Sequence, residues 1–181
     1  SLTAERRLVY DNVDAFLRKR PQDSKVMDLE RFTSDLNAAT AEFFCKTVKD
    51  RNPELITSVF YGYILECENS AYTGWLNIDQ LLNSPYIDFL AAPTSYTRRA
   101  AGESGGFIVP AKSVGLKKIW VDELDIRTYL SAEAAWRIPQ ECTAAVLYRE
   151  MAKNLSADAG FWWMDLGGGW YDSDYVREII T

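Results

Sequence analysis

Histidine is absent from the 181-residue sequence, and cysteine is scarce. Without histidine, the chain has no Ser-His-Asp or Cys-His catalytic site, no histidine metal ligand and no histidine pH switch. Its three cysteines, Cys45, Cys67 and Cys142, are odd in number and have no C-x-x-C spacing, which disfavours a zinc ribbon or a disulfide framework. We interpret them as small buried hydrophobic residues. Any acid–base chemistry must therefore come from carboxylates, tyrosine, lysine or cysteine.

Long apolar runs and basic clusters are also lacking. No run approaches the ~18 residues of a membrane span, so we expect no membrane insertion. Lys and Arg number 20 against 26 Asp and Glu, and this net charge of −6 disfavours a nucleic-acid partner. Apolar residues at 48% and charged residues at 25% are ordinary for a globular chain. The sequence opens at Ser1 without Met, so we expect a processed product or an excised part of a longer polypeptide, and the localisation stays unknown.

The hydrophobic pattern predicts two leading helices followed by alternating strands and helices. The first helix ends before Pro21, and the second begins after an N-cap at Asp28 and ends at Asn52-Pro53. Four β-branched or aromatic runs predict strands at residues 55–65, 86–91, 118–122 and 160–165. Helices are predicted at residues 78–82, 110–116, 140–155 and 174–180. This alternation favours parallel strands with right-handed crossovers.

The alternation by itself fits either a doubly wound sheet or part of a (β/α)8 barrel. A full barrel takes about 250 residues, so four strands would make up only its second half. A doubly wound phosphate-binding domain needs a phosphate loop after the first strand, where Glu66-Cys67-Glu68 is acidic instead. The Gly167–Gly169 run also fails G-x-G-x-x-G, because Asp172 stands at the third glycine position. Asp172-Ser173-Asp174 is better interpreted as a helix cap than as a metal site.

Carboxylates and aromatic residues follow the predicted strands, at the ends where parallel α/β folds collect functional residues. They are Glu66 after the first strand, Tyr96 after the second, Glu123 after the third, and Asp165 and Trp170 after the fourth. The combination suits a carbohydrate site, since carboxylates protonate leaving groups and stabilise oxocarbenium charge, while flat rings cover the apolar faces of sugars. The simpler alternative is that these carboxylates only solvate loop ends.

Strand alternation refines this prediction. Val121 and Glu123 share one face of the third strand, and Trp120 and Asp122 then turn toward the helices. By the same count, Phe161, Trp163 and Asp165 share a face of the fourth strand. Trp162 and Trp163 are interpreted mainly as core residues, whereas Trp170 lies in a predicted loop and is the better candidate for ligand contact.

Several motifs together resemble clan A glycoside hydrolases, in particular a β-galactosidase-like group related to glycoside hydrolase family 42. K-I-W-V-D-E at 118–123 is similar to the seventh-strand motif of that clan. The others are V-F-Y-G-Y at 59–63, I-D-F-L-A-A-P-T-S-Y at 87–96, G-G-F-I-V-P at 105–110, W-V-D-E-L-D-I-R-T at 120–128 and F-W-W-M-D-L-G-G-G-W-Y at 161–171. The resemblance covers residues 35–181 and leaves residues 1–34 as a leading helical segment.

The resemblance implies the C-terminal half of a (β/α)8 TIM barrel, strands five to eight with their helices. It implies that Glu123 is the nucleophile of a retaining β-glycosidase, that Tyr96 lies near it and that Trp163 floors the sugar site, with no cofactor needed. The acid/base glutamate of the clan closes strand four, which is not in this chain. Glu66 and Asp165 are candidate substitutes that nothing in the sequence selects. A retaining pair needs both carboxyl groups about 5–5.5 Å apart, so we expect the chain alone to be inactive and its parent protein to act on carbohydrate.

Two further hypotheses stay open at this point. The first is a non-catalytic carbohydrate-binding or structural half-barrel that has kept the scaffold and lost the chemistry. The second concerns assembly: a half-barrel exposes strand edges that favour pairing, so we expect homo-oligomers formed through those edges.

Overall fold

The chain is an α/β protein, and a computed structural model describes its residues 21, 23–63 and 74–181. The helices are α1 (Ser24–Arg51), α2 (Ile78–Asn83), α3 (Ala111–Gly115), α4 (Gln140–Ser156) and α5 (Asp174–Ile180), and the strands are β1 (Ser58–Phe60), β2 (Phe89–Pro93), β3 (Ile119–Leu124) and β4 (Gly160–Trp163). The predicted alternation is confirmed over these ranges, with a first strand much shorter than the apolar run that suggested it. The helix predicted before Pro21 lies outside the described residues. None of the described helices has the length and apolar character to cross a bilayer.

The first compact unit runs to Asp88 and contains α1, β1 and α2. Helix α1 begins at Ser24, earlier than the N-cap expected at Asp28, and it continues through the boundary expected after residue 34. The backbone N–H of Thr57 donates to Asp88 Oδ2 (2.7 Å), and Lys49 pairs with the same carboxylate oxygen (2.8 Å). These contacts attach the start of β1 to the end of the helix before it.

The same unit contains a glycine, Gly74, whose backbone conformation and surroundings exclude other residues. Gly74 has φ +84°, and an added Cβ would lie 2.3 Å from Asn37 Nδ2, so only glycine fits there without displacing that amide. The Gly74 carbonyl accepts from the Tyr61 hydroxyl (3.1 Å) and from Asn37 Nδ2 (3.4 Å). Burial raises the pKa of the Tyr61 phenol to about 12, which keeps it a donor at every ordinary pH.

The second compact unit spans residues 89–181 and is built on parallel strands in the order β2-β3-β4. Its core combines the C-terminal part of β3 with α4 and α5, in a cluster that includes Leu124, Val146, Leu147, Trp170 and Val176. In β3, Trp120 is 1% exposed and Asp122 0%, whereas Ile119 is 61% exposed. The predicted alternation of β3 is therefore confirmed, with Trp120 and Asp122 on the buried face.

The start of α5 confirms the interpretation of Asp172-Ser173-Asp174 as a helix cap. The Ser173 hydroxyl accepts from the backbone N–H of Val176 at 3.2 Å, which satisfies one of the free donors of the first turn. Arg177 then pairs with both flanking carboxylates, Asp172 (2.6 Å) and Asp174 (2.7 Å). The aspartates are therefore part of a helix terminus.

Candidate functional site

The C-terminal ends of three parallel strands place one carboxylate beside a proline and a tryptophan. The register pairs Pro93 of β2 with Glu123 of β3, and Glu123 with Trp162 of β4. Residues paired in this way point to the same side of a sheet. Glu123 thus lies in the middle of a row whose three members share one face, which we call the carboxylate face.

The register also corrects the expected position of Trp163. Trp163 pairs with Leu124, on the face opposite Glu123. Its ring lies 5.9 Å from that of Phe161 and 5.6 Å from that of Tyr171, and it packs against the core cluster. Trp162, which the sequence assigned to the core with Trp163, is the tryptophan beside the carboxylate.

Glu123 is half-buried, and no described residue donates a hydrogen bond to its side chain or forms a salt bridge with it. Burial raises the pKa of its carboxyl, the negative charge of Asp125 raises it further, and Arg99 acts in the opposite direction. A carboxylate that is partly desolvated and not bound by neighbouring donors keeps its lone pairs for another molecule. This is the state that a nucleophile or a proton-transfer group needs.

Arg99 organises the loops beside this carboxylate. Its side chain is 8% exposed and forms a 2.5 Å salt bridge with Asp125. It also donates to the carbonyls of Ser95 (2.7 Å) and Thr94 (2.8 Å), and its guanidinium lies 4.1 Å from the centre of the Tyr96 ring. Burial raises the pKa of Asp125, and the Arg99 charge counteracts this. Arg99 therefore contacts both Tyr96 and Asp125, and its positive charge acts to lower the pKa of the Glu123 carboxyl.

The other predicted site residues are placed differently from Glu123 and Tyr96. Asp165 is exposed, and its Oδ2 accepts from the backbone N–H of Trp170 at 2.9 Å, which closes the glycine loop between them. Trp170 is 3% exposed and belongs to the core cluster, so its ring offers little surface to a ligand. Glu66 lies outside the described residues.

Behind the carboxylate face, a buried ionic network joins the loop after β2 to α4. Lys153 Nζ contacts Asp122 Oδ2 (2.8 Å), Glu150 Oε2 (2.7 Å) and the Gly106 carbonyl (2.9 Å), and it also donates to the Thr94 hydroxyl. Burial raises the pKa of Asp122, and Lys153 acts against this. The network therefore ties both ends of the loop that carries Tyr96 and Arg99, at Thr94 and Gly106, to α4.

Arg149 of α4 extends this network to the middle of the loop that follows β2. Arg149 forms a 2.7 Å salt bridge with the buried Glu150. It also donates to the carbonyls of Ala100 (2.8 Å), Glu103 (2.9 Å) and Arg99 (3.1 Å). The loop is thus held by charged side chains from α4 on both sides.

The sequence did not predict the pairing of Arg99 with Asp125, nor Lys153 and Glu150 as partners of that loop. A signal was present for the latter pair, because Glu150 and Lys153 are three residues apart and lie on one face of α4. Their partners, Asp122 and Thr94, are distant in sequence, which no local pattern reveals.

No metal centre is formed within the described ranges, where no group of three or more Cys, Asp or Glu side chains converges on one point. Comparison of the chain with protein-family models, curated proteins and solved structures finds no match.

Proposed function

We propose that this chain is the nucleophile-bearing half of a retaining β-glycosidase of the (β/α)8 type, with Glu123 as the nucleophile. The observation that carries the proposal is the half-buried Glu123 carboxylate, which has no bonding partner among the described residues and stands beside Trp162 at the end of a parallel strand. The resemblance of the strand motifs to clan A glycoside hydrolases supports the same assignment. Four parallel β–α units in succession would then be the second half of the barrel.

In this mechanism a Glu123 carboxylate oxygen attacks the anomeric carbon of a β-glycoside. The bond from that carbon to the leaving oxygen breaks, and the leaving oxygen takes a proton from a carboxylic acid on the other side of the bond. Water then attacks the glycosyl ester, gives its proton to the same acid residue and releases Glu123. Two inversions give net retention of configuration.

The reaction also needs a proton donor. The two carboxyls beside Glu123 in sequence whose pKa is raised are both bound by cations: Asp125 by Arg99 at 2.5 Å and Asp122 by Lys153 at 2.8 Å, so neither is free to protonate a leaving group. We therefore propose that the acid lies on a strand of the missing half of the barrel, and that the chain alone does not hydrolyse ordinary glycosides.

The second candidate is a carbohydrate-binding or structural half-barrel without catalysis. The binding of Asp125 by Arg99 and of Asp122 by Lys153 favours it, since both carboxyls beside Glu123 in sequence are already paired with cations. The two candidates differ in whether Glu123 becomes covalently bound to a sugar.

The deciding experiment uses a glycoside whose leaving group needs no acid, 2,4-dinitrophenyl 2-deoxy-2-fluoro-β-galactoside. The parent protein and the 181-residue chain are each incubated with it, and the mass of the intact protein is measured. We expect one fluorosugar per parent protein, attached to Glu123, with labelling abolished by Glu123→Gln. Glu178→Gln, at an exposed glutamate of α5, is the matched control and should label normally. Labelling elsewhere, or none in the parent with any β-glycoside of this kind, would support the binding module instead.

A further inference from the structure

A second concave site lies beside Tyr96, between the loops that follow β2 and β3. It is a cavity of about 320 Å³, at the small end of the range for ligand sites. Its lining includes the aromatic residues Tyr96 and Trp136, the charged residues Arg99, Glu103 and Arg137, and the apolar Ile138. Glu123 is not part of this lining, so the cavity is separate from the carboxylate itself.

Trp136 is unusual in both exposure and backbone. Its side chain is 59% exposed, although tryptophan is mostly buried in folded proteins. Its φ of +66° lies in the left-handed region, which is unfavourable for a bulky residue. A tryptophan at this position is thus unfavourable for packing and for backbone conformation alike.

The loop nevertheless holds Trp136 firmly from both sides. Arg127 donates to the carbonyl of Ala135 at 3.0 Å, immediately before the tryptophan. The backbone N–H of Ile138, two residues after the tryptophan, donates to the Arg127 carbonyl at 2.9 Å. Arg127 is itself fixed by a 2.8 Å salt bridge to Glu133. These hydrogen bonds and this salt bridge therefore stabilise the loop that places the indole at the cavity.

The charges around the cavity nearly cancel. Arg99 is neutralised by Asp125 in the 2.5 Å salt bridge. Arg137 contributes one positive charge and Glu103 one negative charge to the same wall. An anionic or cationic ligand would therefore gain no net attraction, whereas a neutral molecule with an apolar face and several hydroxyls would match both the rings and the polar groups.

We propose that this cavity is a subsite for one neutral pyranose ring, stacked on Trp136 with its hydroxyls toward Glu103 and Arg137. The assignment of the ligand as a sugar rests on the proposed function. Arg99 lies in the cavity wall and forms a 2.5 Å salt bridge with Asp125, two residues after Glu123, so the site is placed to hold a second sugar unit of a substrate whose first unit is at Glu123.

The test is a titration of the 15N-labelled chain with lactose, followed through the indole N–H of Trp136 and, in every variant, through the backbone N–H of Arg137 in the cavity wall. We expect a saturable shift of these signals, and a loss of about tenfold or more in affinity with Trp136→Ala, since large aromatic side chains dominate such contacts. Trp136→Phe should keep part of the affinity. Tyr148→Ala, at an exposed aromatic of α4 outside the cavity, is the matched control and should leave binding unchanged.

The outcomes separate this inference from the proposed function. Binding of lactose that does not change with Trp136→Ala, or no binding at all, would overturn the subsite even if Glu123 is labelled by the fluorosugar. Tighter binding of glucuronate than of lactose would also overturn it, in favour of an anion site. Trp136-dependent lactose binding without any labelling of Glu123 would confirm the subsite and refute the glycosidase.

Discussion

Replacement of Lys153 by Met should remove the charge at the centre of the buried network while it keeps the methylene stem. In the native protein, Lys153 Nζ lies 2.8 Å from Asp122 and 2.7 Å from Glu150, and its side chain is only 10% exposed. Both carboxylates are almost fully buried, at 0% and 1% exposure. The effect of the substitution therefore depends on which salt-bridge and hydrogen-bond partners each carboxylate keeps in the variant.

Glu150 retains a positively charged partner in the variant, but Asp122 does not. Glu150 keeps its 2.7 Å salt bridge with Arg149. Asp122 keeps a single 3.3 Å hydrogen bond from Asn154. Removal of one partner of a buried pair costs about 3–5 kcal/mol, because it leaves the other charge uncompensated. This is a large share of the total stability of a domain, about 5–15 kcal/mol.

The loss should depend on pH in a definite direction. Burial already raises the pKa of Asp122, and without Lys153 it rises further. A carboxyl whose pKa is higher in the folded than in the unfolded state favours folding at low pH and disfavours it as the pH rises through the folded-state pKa. The variant should therefore be most destabilised near neutral pH and recover part of the loss in acid, where Asp122 is protonated.

Urea unfolding at several pH values measures both effects, with an unchanged dependence on denaturant as the check that the fold is kept. Lys112→Met, at an exposed lysine of α3, is the matched control and should change stability by less than about 0.5 kcal/mol. If Lys153→Met does not fold, addition of Asp122→Asn should restore it by removing the orphaned charge. A loss below about 1 kcal/mol at neutral pH, or a loss that does not change with pH, would refute the reasoning.

Three more outcomes are expected. Tyr171→Phe should cost about 1–3 kcal/mol in urea unfolding, because the buried hydroxyl lies 2.9 Å from the carbonyls of Leu124 and Ile126, and the variant leaves Ile126 without this donor whereas Leu124 keeps the backbone N–H of Met164. Asp125→Asn should lower the pKa of Glu123, followed by carbon NMR of its carboxyl, since it removes a negative charge and leaves a neighbouring cation unpaired; an unchanged or higher pKa would contradict the electrostatics described above. The chain should also self-associate at micromolar concentration, and a monomer by light scattering would count against the exposed strand edges.

Local sequence was sufficient to predict the order of the elements and the two faces of β3. Alternation along one strand is fixed by backbone geometry, so Trp120 and Asp122 were correctly placed away from Glu123. The helix cap at Ser173 was also predictable, since a cap depends on residues within one turn.

Only the tertiary structure decided which tryptophan stands beside Glu123. Alternation along β4 predicts that Phe161 and Trp163 lie on the same face of the strand. Whether that face is the one that carries Glu123 depends on the register between β3 and β4. That register places Trp163 against Tyr171 in the core and leaves Trp162 on the carboxylate face. A shift of one residue would exchange the two tryptophans, and no local pattern fixes it.

The same distinction applies to the charges of the site. The sequence shows carboxylates at strand ends, but whether each is bound or available depends on partners far away along the chain. Asp125 is bound by Arg99, and Asp122 by Lys153, whereas Glu123 between them has no such partner among the described residues. Pairing between side chains 26 and 31 residues apart is set by how the loops and α4 pack on the sheet, and that packing singles out Glu123.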